Sequence, residues 1–296
     1  MNNSFRKSRE DIIVDTLVWG LSLIVLAATF YPLYFVLIQS LNDGADAAKA
    51  PIYWFPRDFS LENYQLVFKQ DLLLTGLKNT LLRTIVGTTA TVFVTSMAAY
   101  ALQRPNLKLR KVYVSMGAIS MYFSGGLIPL YLVLNKLHLL DTFWVYIVPY
   151  LFGFFNCLLF MSFFRNIPEA LTESALIDGA SEFKIYWKII IPLSMPVFAT
   201  VSLFVAVFHW NDYFISSFFI TTESLQTLPV ILIRLLSLSE AQQEIQRYIG
   251  NNTGSSVTLE SMRYATLIIS IAPITILYPF LQRFFVKGML VGAIKA

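Results

Sequence analysis

Charge is scarce in this chain. Only 14% of its 296 residues are Asp, Glu, Lys or Arg, against about 25% in an average soluble domain. Cysteine is scarcer: Cys157 stands alone inside an apolar run, so no internal disulfide can form and a packing role is expected. There are two histidines, His138 and His209, and no Asp-rich stretch. A membrane enzyme would need a paired carboxylate or a His cluster near the interface; the two histidines make no cluster, and Glu169 and Glu173, one turn apart, read as acids at a helix N-terminus. No Gly-Lys dipeptide occurs, which excludes a Walker A phosphate loop. No basic run has the density of a nucleic-acid tail. Internal repeats and low-complexity segments are absent too.

Apolar sequence takes the place of what is missing. Hydrophobic residues make up 56% of the chain and aromatic residues 15%, and the mean hydropathy is +0.62. One soluble core of this size cannot hide so much apolar surface, so the excess faces lipid or neighbouring helices. A spanning helix needs about 20 apolar residues. Six windows meet that length: Thr16–Ile38, Asn79–Leu102, Val112–Leu134, Thr142–Phe164, Pro196–Phe219 and Tyr264–Val286. The expected fold is therefore all-α, an integral membrane helical bundle with about six transmembrane helices in a single domain over residues 1–296. Arg6, Lys7 and Arg9 precede the first window, as in a signal peptide. That window is too long for a signal core of 7–15 residues and no small-x-small site closes it, so an uncleaved first helix is expected.

The net charge of +4 is read as topology. Lys and Arg gather on the cytoplasmic side. The short connection Gln103–Lys111 holds Arg104, Lys108, Arg110 and Lys111 and no acid, whereas Asn135–Asp141 holds one Lys and one Asp. With Arg6, Lys7 and Arg9 at one end and Arg283, Lys287 and Lys295 at the other, both termini are expected in the cytoplasm. Gln39–Lys78, with Pro51, Trp54 and Pro56, and Ile220–Arg263, with its polar stretch Gly250–Ser256, then lie outside. Either loop could fold over an external mouth, dock a partner, or simply connect helices.

The remaining long loop, Arg165–Met195, is cytoplasmic. Pro168 suits the first turn of a helix. Glu169 and Glu173 suit a positive N-terminal dipole end. Asp178-Gly179 supplies a left-handed stop, Ser181 an N-cap, and Pro192 ends a second helix near Ile190. The loop thus predicts a helix–turn–helix wedge. Ala170, Ser174 and Ile177 share one face of its first helix, a small apolar stripe among acids. An acidic segment of this kind fits a protein groove better than an anionic lipid surface.

The fifth window carries the strangest intramembrane chemistry: His209, Trp210, Asn211, Asp212 and Tyr213 in a row. A charged Asp near the bilayer centre costs about 2.5–3.5 kcal/mol, so it should face the bundle interior or a wet cavity. One reading is a sugar-lining patch, with Trp and Tyr faces for pyranose rings and Asn and Asp for hydroxyls. The other is interfacial anchoring and helix–helix hydrogen bonding. Asn156 and Tyr122 are further pathway candidates. Gly125-Gly126 is expected to bend the third helix or let another approach closely.

The cytoplasmic loop resembles the EAA loop of ABC-importer permeases, with Glu173-Ser174-Ala175, Gly179, and Ile189-Ile190-Ile191-Pro192 at the family spacing. Ser174 and Ile191 depart from the family's Ala and Leu. Asp178-Gly179-Ala180, Trp210-Asn211-Asp212-Tyr213 and Phe123-Ser124-Gly125-Gly126 resemble the carbohydrate branch, in particular its maltose-type G subunits and permeases for oligosaccharides released from complex polysaccharides. The resemblance implies a type I ABC-importer transmembrane domain whose loop 165–195 docks on a separate ATPase. Glu173, Ser174, Ala175, Asp178, Gly179, Ile189 and Pro192 would be the coupling residues. It implies no cofactor in this chain, because ATP and Mg are bound by the ATPase. The implied partners are a second homologous permease, two ATP-binding subunits, an extracytoplasmic sugar-binding protein, an oligosaccharide and membrane lipid, with no nucleic acid. The rival reading is a secondary, ion-coupled transporter, which would need buried ionisable groups and often inverted repeats. On this sequence the deep ionisable residues are essentially His209 and Asp212.

Overall fold

A computed structural model describes residues 9–47, 49–50, 52–104, 106–249 and 259–293, with side chains left aside at 239–249, 277 and 280–293. Arg6, Lys7, Lys295 and the stretch Gly250–Ser256 lie outside the described residues, and the side chains of Arg283 and Lys287 are among those set aside. The described chain is helical, with one isolated bridge between Asn42 and Phe59. It gathers into two compact units, Met1–Gln70 with Leu235–Ile269, and Asp71–Arg234 with Ser270–Ala296.

The first unit begins with α1 (Arg9–Ser40). Apolar residues surround this helix on every side. Leu17, Trp19, Leu23 and Ile24 are each at least 60% exposed. A helix that is apolar all round belongs in lipid or among other helices. After it come a short turn of helix, α2 (Gly44–Ala47), and α3 (Glu62–Lys69). The segment between them is ordered by a polar knot. Asn42, fully buried, accepts from the amides of Arg57 and Asp58 through Oδ1 and donates to Asp46 through Nδ2. Buried Asn63 donates to the carbonyls of Ser40 and Asn42.

The second unit opens with α4 (Asp71–Gln103), which starts earlier than its apolar window predicts. Next are α5 (Arg110–Tyr122), α6 (Leu127–Lys136), two short 3-10 turns over residues 143–150, and α7 (Phe154–Phe164). The wedge expected over Arg165–Met195 follows as α8 (Glu169–Ile177) and α9 (Glu182–Ile185), running on through a π turn and α10 (Ile191–Leu193). Then come α11 (Met195–Asn211) and α12 (Phe214–Phe219). The last helices, α13 (Leu228–Ile249) and α14 (Leu259–Ala293), each contribute to both units. The region expected as an external loop over Ile220–Arg263 therefore contains a 22-residue helix.

Three of the six windows are crossed by unbroken helices, in α1, α4 and α14, and the third and fourth by bent pairs. The third window breaks at Phe123–Gly126, where α5 and α6 meet at 120°. Gly126 has φ +83 and nothing within 4 Å of an added Cβ, so this glycine serves the bend and not a close approach. The fourth window is bent by 50° between its 3-10 turns and α7. The fifth ends early, because α11 stops at Asn211 and Asp212 is extended at ψ 115. Close approaches occur at other glycines. A Cβ on Gly87 would meet the His209 ring at 2.5 Å, and one on Gly117 would meet Phe154 at 2.2 Å.

The core of this unit is apolar and aromatic: Phe154, Cys157, Phe160 and Phe164 of α7 pack with Tyr186, Ile190 and Val201. Cys157 is fully buried, as a packing residue should be. Asp141, in the left-handed region at φ 55, closes the far end. Its carboxylate accepts from the amides of Thr221 and Thr222, each at 2.9 Å, and from the Thr222 hydroxyl at 2.7 Å. The Thr222 amide and hydroxyl, with the Thr221 amide, hold its pKa down at about 2. A carboxyl depressed below its unfolded value near 3.9 adds stability above that pH and loses it as the pH falls toward 2. Amide hydrogen exchange at 219–222 should therefore accelerate between about pH 4 and pH 2 beyond the intrinsic trend. In Asp141→Asn that extra acid dependence should vanish; an unchanged pH profile in the variant would contradict the clamp.

Candidate functional site

Two regions concentrate polar chemistry, and α4 serves both. Its first half carries Arg83, the one charge within the second apolar window and fully buried. One guanidinium nitrogen donates to the Asp212 carbonyl at 2.8 Å and another pairs with the Asp212 carboxylate. The guanidinium also lies over the Tyr146 ring, 4.7 Å from its centroid. The Asp212 carboxylate in turn accepts from the amides of Phe214 and Ile215, capping α12. A helix end inside a membrane leaves orphan carbonyls and amides that cost several kcal/mol each if unmet. Arg83 and Asp212 satisfy those nearest the break between α11 and α12.

The same face of α4 fastens the segment beyond. Asn79 donates to the carbonyls of Ser224 and Gln226, and Thr80 accepts from the Leu228 amide. The Tyr146 hydroxyl lies 2.9 Å from both Ser216 Oγ and the Leu225 carbonyl.

The five residues at the break have different settings. His209 is fully buried, its ring against Gly87 and edge-on to Tyr150 at 6.2 Å. Trp210 is buried and donates through Nε1 to the Ser270 carbonyl at 2.9 Å. The Asp212 side chain is 9% exposed and engaged by Arg83. Asn211 and Tyr213 are exposed. Tyr122 is 84% exposed at the other break, and Asn156 is half-buried on α7. Asn211, Tyr213 and Tyr122 thus present themselves at breaks in helices, while His209, Trp210 and Asp212 hold the bundle together. Arg83 is a deep ionisable group that the sequence reading passed over. Its signal was present, as the one charge within the second apolar window.

The second region is the wedge of α8 to α10. Pro168 stands just before the first helical residue. Gly179 takes φ +76, and its amide bonds the Leu176 carbonyl, so the stop falls where the sequence places it. Ser181 caps the next helix, its Oγ accepting from the Lys184 amide at 3.3 Å. Pro192 does not end that helix. Its missing N–H and its ring crowd the carbonyl of Lys188, and the backbone widens into the π turn over Tyr186–Ile190 instead. The bend comes at Ser194, 84° between Glu182–Leu193 and Met195–Asn211.

On α8, Thr172 is buried, and Ala175 packs against the core together with Ala180. The opposite face is open: Ala170, Glu173 and Ser174 are exposed, and Ile177 is 86% exposed. Asp178 and Pro192 are exposed as well, and Ile189 is partly buried. The second helix is bolted to the end of α4. Arg104 pairs with Glu182, the Tyr100 hydroxyl donates to Glu182 at 2.5 Å, and the hydroxyls of Ser96 and Tyr186 are 2.6 Å apart. Arg104 entered the sequence reading as a topology charge, but its pairing with Glu182 did not, because the partners are about 80 residues apart.

The model for the family described as "Binding-protein-dependent transport system inner membrane component" matches residues 91–291, which include the 165–195 wedge and the row from His209 to Tyr213. The chain belongs to this family. It is a permease subunit and an inner membrane component of an ABC transporter. It is 32% identical over 283 residues to the polygalacturonan/rhamnogalacturonan transport system permease protein YtcP of Bacillus subtilis (strain 168), covering 96% of this chain and 98% of that one. It is 37% identical to protein LplC of the same organism, covering 91% and 90%. Among solved structures, a chain of a bacterial ABC transporter involved in the import of the acidic polysaccharide alginate matches with a TM-score of 0.86 and 28% identity, over 95% of this chain and all of that one. The ion-coupled alternative finds no support in them.

Removing one partner of a buried ion pair costs about 3–5 kcal/mol, because the other charge is left uncompensated. Arg83→Ala or Asp212→Ala in the permease should therefore lower the melting temperature of the purified transporter markedly. Arg83→Met with Asp212→Leu should recover part of the loss. Single variants melting like the wild type would show that the pair is dispensable.

Proposed function

We propose that this permease carries an oligosaccharide across the cytoplasmic membrane by alternating access, powered by ATPase subunits that dock on its 165–195 loop. Residues 1–296 act as one transport domain, with both termini in the cytoplasm. The single observation that carries the coupling reading is the open stripe Ala170, Ser174 and Ile177 on α8, whose other face is fixed by Thr172 and Ala175. Exposed small residues accept a groove closely, and Glu173 adds a polar contact there. Gly179 makes the sharp turn that a side chain would strain.

The chain has no phosphate loop of its own, so nucleotide energy arrives from outside it. ATP and Mg belong to the ATPase subunits, and this chain needs no cofactor. A push on α8 travels through α9, the π turn and α10 into α11. The Arg104–Glu182 pair and the Ser96–Tyr186 contact carry it also into α4. Because α4 and α11 are locked by Arg83 and Asp212, they move together. Packed elements of this kind change between discrete arrangements.

Irregular backbone at membrane depth is tolerated only inside protein or along a water-filled cavity. The breaks at Phe123–Gly126 and at Asp212 therefore mark the pathway side. Tyr122 and Tyr213 offer ring faces for pyranose rings, and Asn211 offers an amide for hydroxyls. His209, Trp210 and Asp212 hold that wall in place, and Asn156 lies behind it. Likeness to the polygalacturonan/rhamnogalacturonan permease and to the alginate importer supports an oligosaccharide cargo.

The permease, its partner permease and the ATPase are to be reconstituted in liposomes with a sugar-binding protein. Sugar-stimulated ATP hydrolysis is then measured for wild type and Gly179→Asp. A side chain at this positive φ costs about 1–2 kcal/mol and adds charge at the docking face. Stimulation should fall by an order of magnitude or more, with sugar uptake. Uptake by this chain alone, insensitive to Gly179→Asp, would overturn the reading.

A further inference from the structure

The segment after α1 is built inside out. The polar side chains that anchor it are buried, with Gln39 at the end of α1 6% exposed, Asn63 of α3 1%, and Ser40 and Asn42 not at all, while the charged Lys49, Arg57 and Asp58 stay exposed. Its aromatic side chains point outward, with Tyr53 54%, Trp54 66%, Phe55 77% and Phe59 64% exposed. A loop in water does the reverse, and a contiguous apolar patch marks an interaction surface. The patch is held in one shape. Gln39 donates to the Ile52 carbonyl at 3.1 Å, Arg57 donates to Asp46 and to the Ala50 carbonyl, and Asp43 and Asp58 bond through their backbones. Its outward face is thus fixed by the polar knot beneath it.

Two contacts give its height along α1. The Tyr34 hydroxyl donates to the Trp54 carbonyl at 2.5 Å, and the Trp54 ring tilts onto Tyr31 with centroids 5.8 Å apart. The apolar window of α1 ends at Ile38, so Tyr34 and Tyr31 lie about 6 and 10 Å back from that end at 1.5 Å per residue. The chain therefore leaves the span, turns, and returns Trp54 to a level inside it. That level is the headgroup–acyl boundary, where interfacial segments sink about 5–10 Å and where Trp and Tyr concentrate.

We propose that Tyr53-Trp54-Phe55, with Phe59, is a membrane-interface anchor. It inserts into the leaflet at the C-terminal end of α1 and uses lipid as its partner. The anchor fixes the tilt and depth of α1 and gives the loop a floor. A soluble saccharide or a binding protein would find these rings at the wrong height, facing lipid. The proposal needs only that α1 spans a bilayer and does not rest on the transport reading.

The test uses the assembled transporter in lipid nanodiscs, in a Cys157→Ser background. Phe55→Cys, Phe59→Cys and, as a reference on α3, Glu62→Cys are each spin-labelled. Collision with oxygen, which partitions into lipid, is compared with collision with a water-soluble nickel chelate. The labels at 55 and 59 should favour oxygen over nickel several-fold more than the label at 62. Free nickel access at 55 and 59 would place the patch in water, as a docking face for a soluble partner, and overturn the proposal. Shielding from both reagents would place it under another subunit and overturn it equally.

Discussion

A buried arginine holds the second unit of this permease in register. Arg83 is the one charge within its apolar window, and two of its guanidinium nitrogens engage one broken helix. It satisfies the carbonyl that the end of α11 leaves open and neutralises the carboxylate that caps α12. Without it, the break at Asp212 would expose unmet backbone groups and a bare charge in a low-dielectric setting. With it, the break is a stable feature, and the residues on either side of Asp212 can project outward. Asn211 and Tyr213 are exposed while Asp212 and Trp210 are engaged elsewhere.

The same helix links this break to the wedge. Its far end is clasped by Glu182 and Tyr186, residues of the helix that follows Gly179. A long rod with one polar clasp near each end suits the transfer of a rigid-body motion. The wedge is thereby joined through α4 to the break at Asp212. The bend at Ser194 belongs to the same unit, since the π turn and Pro192 aim α11 away from the wedge at a fixed angle.

Much of this was legible in the sequence, and the misses have physical causes. The membrane bundle follows from the apolar windows. Gly179 and Ser181 fall on the turn and cap that their chemistry dictates, because those signals are local. Pro192 misled, since a proline inside a helix can widen it instead of ending it when a π turn absorbs the strain. The breaks at Phe123–Gly126 and Asp212 were hidden because apolar runs do not record helix continuity; only Gly126 hinted at the first. Arg83, Arg104 and Glu182 escaped because their meaning lies in partners distant along the chain. In the second region the row His209 to Tyr213 was visible as unusual, but only the fold separates the side chains that brace the wall from those that face outward.

The central claim is that α8, α11 and the Asp212 break move as one body when nucleotide acts on the docked ATPase. The most direct measurement is a pair of spin-label distances in the reconstituted transporter, with labels at Ile177→Cys and Asn211→Cys in a Cys157→Ser background. With and without ATP analogue, the distance between these two positions should stay the same. The distance from position 211 to a label on the partner permease should change. A shift between 177 and 211 with no movement against the partner would contradict the account.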